Sequence, residues 1–295
     1  MYKIVKRKVL APKIILLEVE APRVAASAKP GQFVIVKMDE KGERIPLTIC
    51  DYDQEKGTVT IVLQSVGAST TEMAKYQEGE YFQDFAGPLG QPSEFVHEEI
   101  ESLNKKNIVF IAGGVGAAPV YPQVKWLRQR GIDVDVIIGG RNKDLILLED
   151  EMKALGANVY PTTDDGSYGF HGVVTERLKA LINEGKHYDE VIAIGPMIMM
   201  KFVAKLTKEL GIKTIVSLNM LMVDGTGMCG ACRVTVGGAT KFTCVDGPEF
   251  DAHLVDFDEA MRRQAMYKTE EGKKLHEEED KLEGHVCHIG AGGEH

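Results

Sequence analysis

Three of the five cysteines, Cys229, Cys232 and Cys244, fall within sixteen residues of one another, while Cys50 and Cys287 stand alone. In a chain whose N-terminus carries no apolar leader, such clustering points to metal or redox chemistry before disulfides. Asp224 precedes Cys229 by four intervening residues, two more separate Cys229 from Cys232, and Cys244 follows after eleven. Four, then two, then a distant fourth is the spacing of thiolates around a plant-type 2Fe-2S centre, here with a carboxylate in first position. Gly225, Gly227 and Gly230 let the backbone fold tightly there and aim amides at an anionic group. The same donors could hold a structural zinc, with Asp224 or a histidine as fourth ligand. An iron centre could instead recruit Cys287, the softer donor, by closing a loop of forty-two residues. Cys50, inside an apolar strand, reads as a small buried residue.

Two further segments have the make-up of phosphate cradles. Gly113-Gly114-Val-Gly116-Ala117-Ala-Pro119 follows an apolar strand and opens a helix, within a unit of about thirty residues. It lacks the third glycine of the usual dinucleotide fingerprint, and Arg141 closes the second strand where an acidic residue commonly sits. Nearer the N-terminus, Arg44-Ile-Pro46-Leu47-Thr48 puts a fixed cation and a hydroxyl on one strand. Val66-Gly67-Ala-Ser69-Thr70 is a small-residue turn opening a helix, whose free amides suit a phosphate. Each has a plainer reading, Arg44 as a strand-edge arginine and Ser69 as a helix cap.

Something must carry these segments. At 295 residues the chain exceeds what one core usually supports, and with 44% hydrophobic and 27% charged residues it is composed to fold. Residues 1–98 read as short β-branched strands (Ile14–Glu20, Gln32–Lys37, Ile45–Asp51, Thr58–Leu63), the pattern of an antiparallel β barrel. A charged connector leads into residues 104–220, where apolar runs alternate with amphipathic stretches. That rhythm predicts βαβ units, hence an α/β domain with a parallel sheet. The cysteine segment, 221–260, is appended to it, and 261–295 forms a Lys/Glu-rich tail read as a solvated helix. A net charge of −9 argues against nucleic acid or an anionic membrane as partner. No stretch is long and apolar enough to span a membrane, and the protein is read as cytoplasmic.

A strand-rich domain with Arg44-x-Pro46-x-Thr48, then Gly113-Gly114-x-Gly116-x-Ala-Pro119, then the cysteine cluster resembles the ferredoxin-NADP reductase superfamily. Within it, the chain is most similar to the small subunits of NADH-dependent ferredoxin:NADP oxidoreductases, over residues 1 to about 260. Val223 to Gly238 and Thr243 to Phe250 carry the likeness most specifically. The resemblance implies that Arg44, Pro46, Leu47 and Thr48 line an FAD, with Thr48 the catalytic position beside the isoalloxazine ring, and that Gly67, Ser69 and Thr70 hold its pyrophosphate. It implies that Gly113, Gly114, Gly116, Ala117 and Pro119, with Arg141, Gly195 and Pro196, bind NAD(H), and that Asp224, Cys229, Cys232 and Cys244 bind a 2Fe-2S cluster. Many relatives place Cys before the Gly195-Pro196 turn, where this chain has Ile194. Asp164 to Gly172 also resembles the family, although by itself it is a polar loop. The implied assembly is a heterodimer with a larger subunit bearing FAD and 4Fe-4S clusters, splitting electrons from NADPH between NAD and ferredoxin. The electron-transfer subunit of dihydroorotate dehydrogenase is the next resemblance; it normally supplies four cysteines.

Overall fold

A computed structural model describes residues 1–274. The first seven strands are β1 (Tyr2–Ala11), β2 (Ile14–Glu20), β3 (Phe33–Lys37), β4 (Arg44–Asp53), β5 (Thr58–Gln64), β6 (Tyr81–Phe82) and β7 (Asp84–Leu89), with helices α1 (Pro22–Ser27) and α2 (Ala68–Met73) between them. They join in the order β6-β1-β2-β5-β4-β3-β7 as a nearly closed antiparallel barrel. Alternation explains it: in β2 and β5, Leu17, Val19, Val59, Ile61 and Leu63 are fully enclosed, and they pack on Val34, Val36 and Ile49 of β3 and β4, while Ile14 joins the core under α4. The four strands expected from sequence fall within a residue or two of β2 to β5. β1 was not among them, because Lys3, Lys6, Arg7 and Lys8 mask a strand that buries only Ile4 and Ala11.

The charged connector, which includes the short helix α3 (Ile100–Leu103), leads to β8 (Ile108–Gly113). There follow α4 (Ala117–Arg128), β9 (Val134–Gly140), α5 (Glu149–Ala154), β10 (Asn158–Thr163), β11 (Phe170–His171), α6 (Val174–Asn183), β12 (Glu190–Ile194), α7 (Met197–Leu210) and β13 (Lys213–Ser217). Apolar on both faces, as helix-covered strands must be, β8, β9 and β12 are buried almost throughout. The sheet order is β11-β10-β9-β8-β12-β13, so strand order reverses between β8 and β12. In such sheets the crevice beyond the strand ends at that reversal is where ligands sit.

The cysteine segment forms a loop, the hairpin β14 (Arg233–Val236) and β15 (Ala239–Phe242), a single helical turn α8 (Thr243–Asp246), and β16 (Glu249–Asp251). β16 returns to pair antiparallel with β13, so the segment is bonded into the nucleotide sheet rather than merely attached beyond residue 220. Helix α9 (Phe257–Gln264) opens with the Asp256 side chain accepting from Glu259 N at 2.9 Å and buries Phe257 and Ala260. It packs against α7, so the start of the expected solvated tail is a docked helix. Cys287 lies outside the described residues.

Candidate functional site

The crevice at the strand reversal is built backbone to backbone. A side chain at Gly116 would place its Cβ 2.1 Å from the Ile194 carbonyl oxygen, and one at Gly195 would meet Gly113 Cα at 3.0 Å. Gly114 takes a left-handed φ of 54°. Only glycine satisfies these positions, and the result is that the two loops leaving β8 and β12 touch in front of the N-terminus of α4, where free amides and the helix dipole favour a phosphate. Ala117 opens that helix and Pro119 occupies its first turn, as Pro can. Pro196 caps α7 on the opposite wall. Arg141, just beyond β9, is exposed, and its side chain makes no hydrogen bond among the described residues. Next to it, Asn142 keeps a buried side-chain oxygen without a partner among the described residues. The Asp164–Gly172 loop closes the same corner, with Asp164 N and Asp165 N donating to the Gly140 and Arg141 carbonyls. Ile194 presents no thiol.

On the barrel, Pro46, Leu47 and Thr48 are paired with Ile35, Val34 and Phe33 of β3. All three are half-buried, as residues of a strand facing a cleft would be. Gly67 caps α2, and Thr70 Oγ1 accepts from Val66 N and Gly67 N at 3.1 and 3.0 Å, which fixes the turn. Ser69 Oγ donates to the Glu43 carboxylate, which also pairs with Lys274. Lys274 first, then Ser69, holds the Glu43 carboxyl below its ordinary range. Arg44 does something the sequence did not announce. Its Nε donates to the Val223 carbonyl at 2.9 Å and its Nη2 to that of Asp224 at 3.3 Å, so a barrel residue grips the start of the cysteine loop.

That loop seats on the barrel through Gly225, whose φ is 75°. A Cβ there would fall 2.6 Å from Ile35 Cδ1 and 2.9 Å from Leu89 Cδ1, side chains of β3 and β7. Ile35 is the strand partner of Pro46. The donors come in two pairs. Asp224 accepts from Thr226 N at 2.8 Å and from Cys229 N at 3.1 Å, which folds the loop so that Cys229 lies beside the carboxylate and keeps that carboxyl ionised below its ordinary range. Cys232 and Cys244 are both buried, with Sγ atoms 3.3 Å apart. Burial, and then the neighbouring Cys232, push the Cys244 thiol up to about 12, so a metal arriving there must displace a proton. Among the described residues no three His, Cys, Asp or Glu side chains converge on one point. A dinuclear cluster takes two donors at each end, the arrangement that the Asp224–Cys229 and Cys232–Cys244 pairs present. The residues present therefore fit 2Fe-2S. Cys50 is buried in β4, away from this loop, and its thiol is pushed up by burial.

Two groups near the junction of barrel, nucleotide domain and cysteine segment were not singled out from sequence. Glu249, at the start of β16, accepts from Gln123 Nε2 of α4 at 2.8 Å and from Ser93 Oγ at 2.9 Å. Arg263 of α9 donates from Nη2 to the Ala231 carbonyl at 3.2 Å. A Glu and an Arg are among the commonest surface residues, and nothing local in the sequence marks these two.

Comparison with known proteins follows the same division of the chain. Residues 219–256 match the family described as the iron-sulfur cluster binding domain of dihydroorotate dehydrogenase B, and residues 110–205 match the oxidoreductase NAD-binding domain. A Clostridium beijerinckii protein described only as an uncharacterized protein in the adh 3′ region is 66% identical over 97% of both chains. A Thermotoga maritima protein, described as a homolog of the electron transfer subunit of dihydroorotate dehydrogenase B (NAD(+)), is 45% identical over 91% of this chain and 92% of its own. Among solved structures, a chain of NADH-dependent reduced ferredoxin-NADP oxidoreductase, described in work on flavin-based electron bifurcation, superposes with a TM-score of 0.87 at 43% identity. It covers 94% of this chain and 97% of its own.

Proposed function

We propose, for a chain that belongs to the family of dihydroorotate dehydrogenase B electron-transfer subunits and their homologues within the ferredoxin-NADP reductase superfamily, that it passes electrons between NAD(H), FAD and a 2Fe-2S cluster as the small subunit of an NADH-dependent ferredoxin:NADP oxidoreductase. The observation that carries this reading is the contact of one barrel strand with both functions. β4 holds the residues expected to line the flavin, and its Arg44 grips the loop that carries the cluster donors.

When bound, FAD supplies the exchange between a two-electron hydride carrier and a one-electron iron-sulfur centre. Gly113, Gly114, Gly116, Ala117 and Pro119, with Gly195 and Pro196, hold the dinucleotide's phosphates at the start of α4. Arg141 faces its adenosine end. Pro46, Leu47 and Thr48 line the flavin from β4, with Thr48 the side chain that touches its ring, and Gly67, Ser69 and Thr70 hold its phosphates. Asp224 and Cys229 form one end of the cluster site, Cys232 and Cys244 the other. Gly225, wedged on Ile35 and Leu89, seats the loop closely on the barrel.

The partner we propose is a larger flavoprotein subunit with its own FAD and 4Fe-4S clusters, through which ferredoxin is reached, in an assembly that bifurcates electrons. We place it in the cytoplasm; no described helix is long and apolar enough to cross a membrane. Against the alternative of service to a dihydroorotate dehydrogenase stands Asp224, a carboxylate where a fourth thiolate would be expected. The test is a visible and EPR spectrum of the purified protein with flavin, iron and zinc analysis, followed by anaerobic NADH. Bleaching of a bound flavin together with a reduced 2Fe-2S signal is expected. Zinc without iron, or no flavin, refutes the reading.

A further inference from the structure

The cysteine loop is held at both ends by guanidinium groups from two different parts of the fold. Arg44, from the barrel, donates to the carbonyls of Val223 and Asp224 at the loop's start. Arg263, from α9, donates to the carbonyl of Ala231, the residue between Gly230 and Cys232. Arg263 is half-buried, and among the described residues its Nε is enclosed without an acceptor. A buried, unpaired donor on a permanently charged side chain is costly unless it faces negative charge. No carboxylate forms an ion pair with Arg263 among the described residues; Glu259, one turn earlier on α9, accepts instead from Thr235 N. The loop itself becomes the negative charge once loaded, since three thiolates and a carboxylate outweigh the charge of the oxidised iron core. Each one-electron reduction then adds another unit of negative charge to the same place.

We propose that Arg263, paired with Arg44 at the opposite end of the loop, is a positioning residue that raises the reduction potential of the cluster and so helps set the direction of electron flow between flavin and cluster. The inference rests on the reading of the loop as a 2Fe-2S site. A fixed cation stabilises the reduced, more negative centre more than the oxidised one, and cluster potentials respond to net charge and hydrogen bonding in this way. Arg44 ties that effect to the flavin barrel, because the same strand that lines the flavin supplies the second cation.

The test is an EPR-monitored redox titration of the full chain, loaded with iron and flavin, as wild type, Arg263→Gln and Arg263→Lys. Arg263→Gln should disfavour the reduced cluster about tenfold, ~59 mV more negative for a one-electron couple. Arg263→Lys, which keeps the charge, should recover most of that shift. Equal potentials in wild type and Arg263→Gln, or an equal drop in both variants, overturn the proposal. Should Arg263→Gln hold no iron, Arg44→Gln is read in the same EPR titration of the iron centre, which does not require that flavin stay bound. A lowered potential there supports the clamp, and an unchanged one overturns it. A wild-type chain with no 2Fe-2S signal would instead refute the underlying reading, and the two failures cannot be confused.

Discussion

Glu249 joins three parts of the molecule: its carboxyl lies on β16 of the cysteine segment, Gln123 belongs to α4 of the nucleotide domain, and Ser93 follows the barrel. Both donors converge on the same oxygen, while Gln123 keeps its own side-chain oxygen buried without a partner among the described residues. Burial pushes the Glu249 carboxyl up to about 7 from an ordinary 4.5, against the opposing pull of the Ser93 and Gln123 hydrogen bonds; the charges of Glu94 and Glu190 push the same way as burial. Those two carboxylates are in turn paired with Lys213, and Glu190 also with Lys106. Because the folded state holds the proton more tightly, the group's contribution to stability is complete below pH 4.5 and is lost as pH rises towards 7. At about 1.36 kcal/mol per unit the loss approaches ~3 kcal/mol, an upper value because the side chain keeps some exposed surface. Glu249→Gln should be close to wild type at pH 4 and more stable by ~2 kcal/mol at pH 8, since a carboxamide accepts from the same donors, never ionises, and offers Gln123 a proton. Trp126, the only tryptophan, sits one turn beyond Gln123 on α4, and its fluorescence during thermal unfolding from pH 4.5 to 8 reports the junction. At a few degrees per kcal/mol for a protein of this size, the difference in Tm at pH 8 is readily measured. Parallel Tm curves for wild type and variant across that range would refute the argument.

Four other outcomes follow from the site. Gly116→Ala must move the Ile194 carbonyl, so NADH should cease to reduce the flavin at any practical concentration while iron content is unchanged; normal reduction would remove this loop from the dinucleotide site. Arg44→Ala loses a charge-assisted contact worth about 1.5 to 3 kcal/mol and should shed FAD on dialysis, so full retention would mean that Arg44 serves the cysteine loop alone. Asp224→Cys should keep a 2Fe-2S cluster with a shifted potential and altered EPR signal, whereas Asp224→Ala should leave it labile or absent; an untouched spectrum in Asp224→Ala would exclude the carboxylate as a ligand. NADH should reduce the flavin at lower concentration than NADPH, and equal or reversed preference in stopped-flow titration would mean that Arg141 reads a 2′-phosphate.

Signals that live in a few consecutive residues were legible. The strands β2 to β5, the elements β8, α4, β9, α5, β12, α7 and β13, the glycine loop before α4 and the cysteine spacing are all local, and the structure draws those strands and helices within two or three residues of the sequence reading, whereas β10, β11 and α6 went unread. What escaped depends on chain return. β16 is three residues long and joins β13 only because the cysteine segment folds back, an event with no local signature. α9 has few apolar residues, yet two of them, Phe257 and Ala260, find a place against the core shared by the nucleotide domain and the cysteine segment. β1 was hidden for the opposite reason, because its outward face is so basic that its two buried positions do not register as a pattern.

The same distinction decides how the site can be understood. Spacing groups Asp224, Cys229, Cys232 and Cys244, and the structure adds that they fall into two pairs, because the Asp224 carboxylate holds Cys229 beside it while the two buried thiols lie against each other. Spacing says nothing of where the loop rests. It rests on Ile35 and Leu89 through a glycine in the left-handed region, where a side chain would be strained and would push aside the tips of Ile35 and Leu89, and it is gripped there by Arg44. A loop that merely bound a cluster could hang from its own domain, as a hairpin does. One seated on β3, the neighbour of the strand proposed to line the flavin, and on β7 beyond it, has its place relative to that strand fixed by packing, as a chain that passes electrons requires.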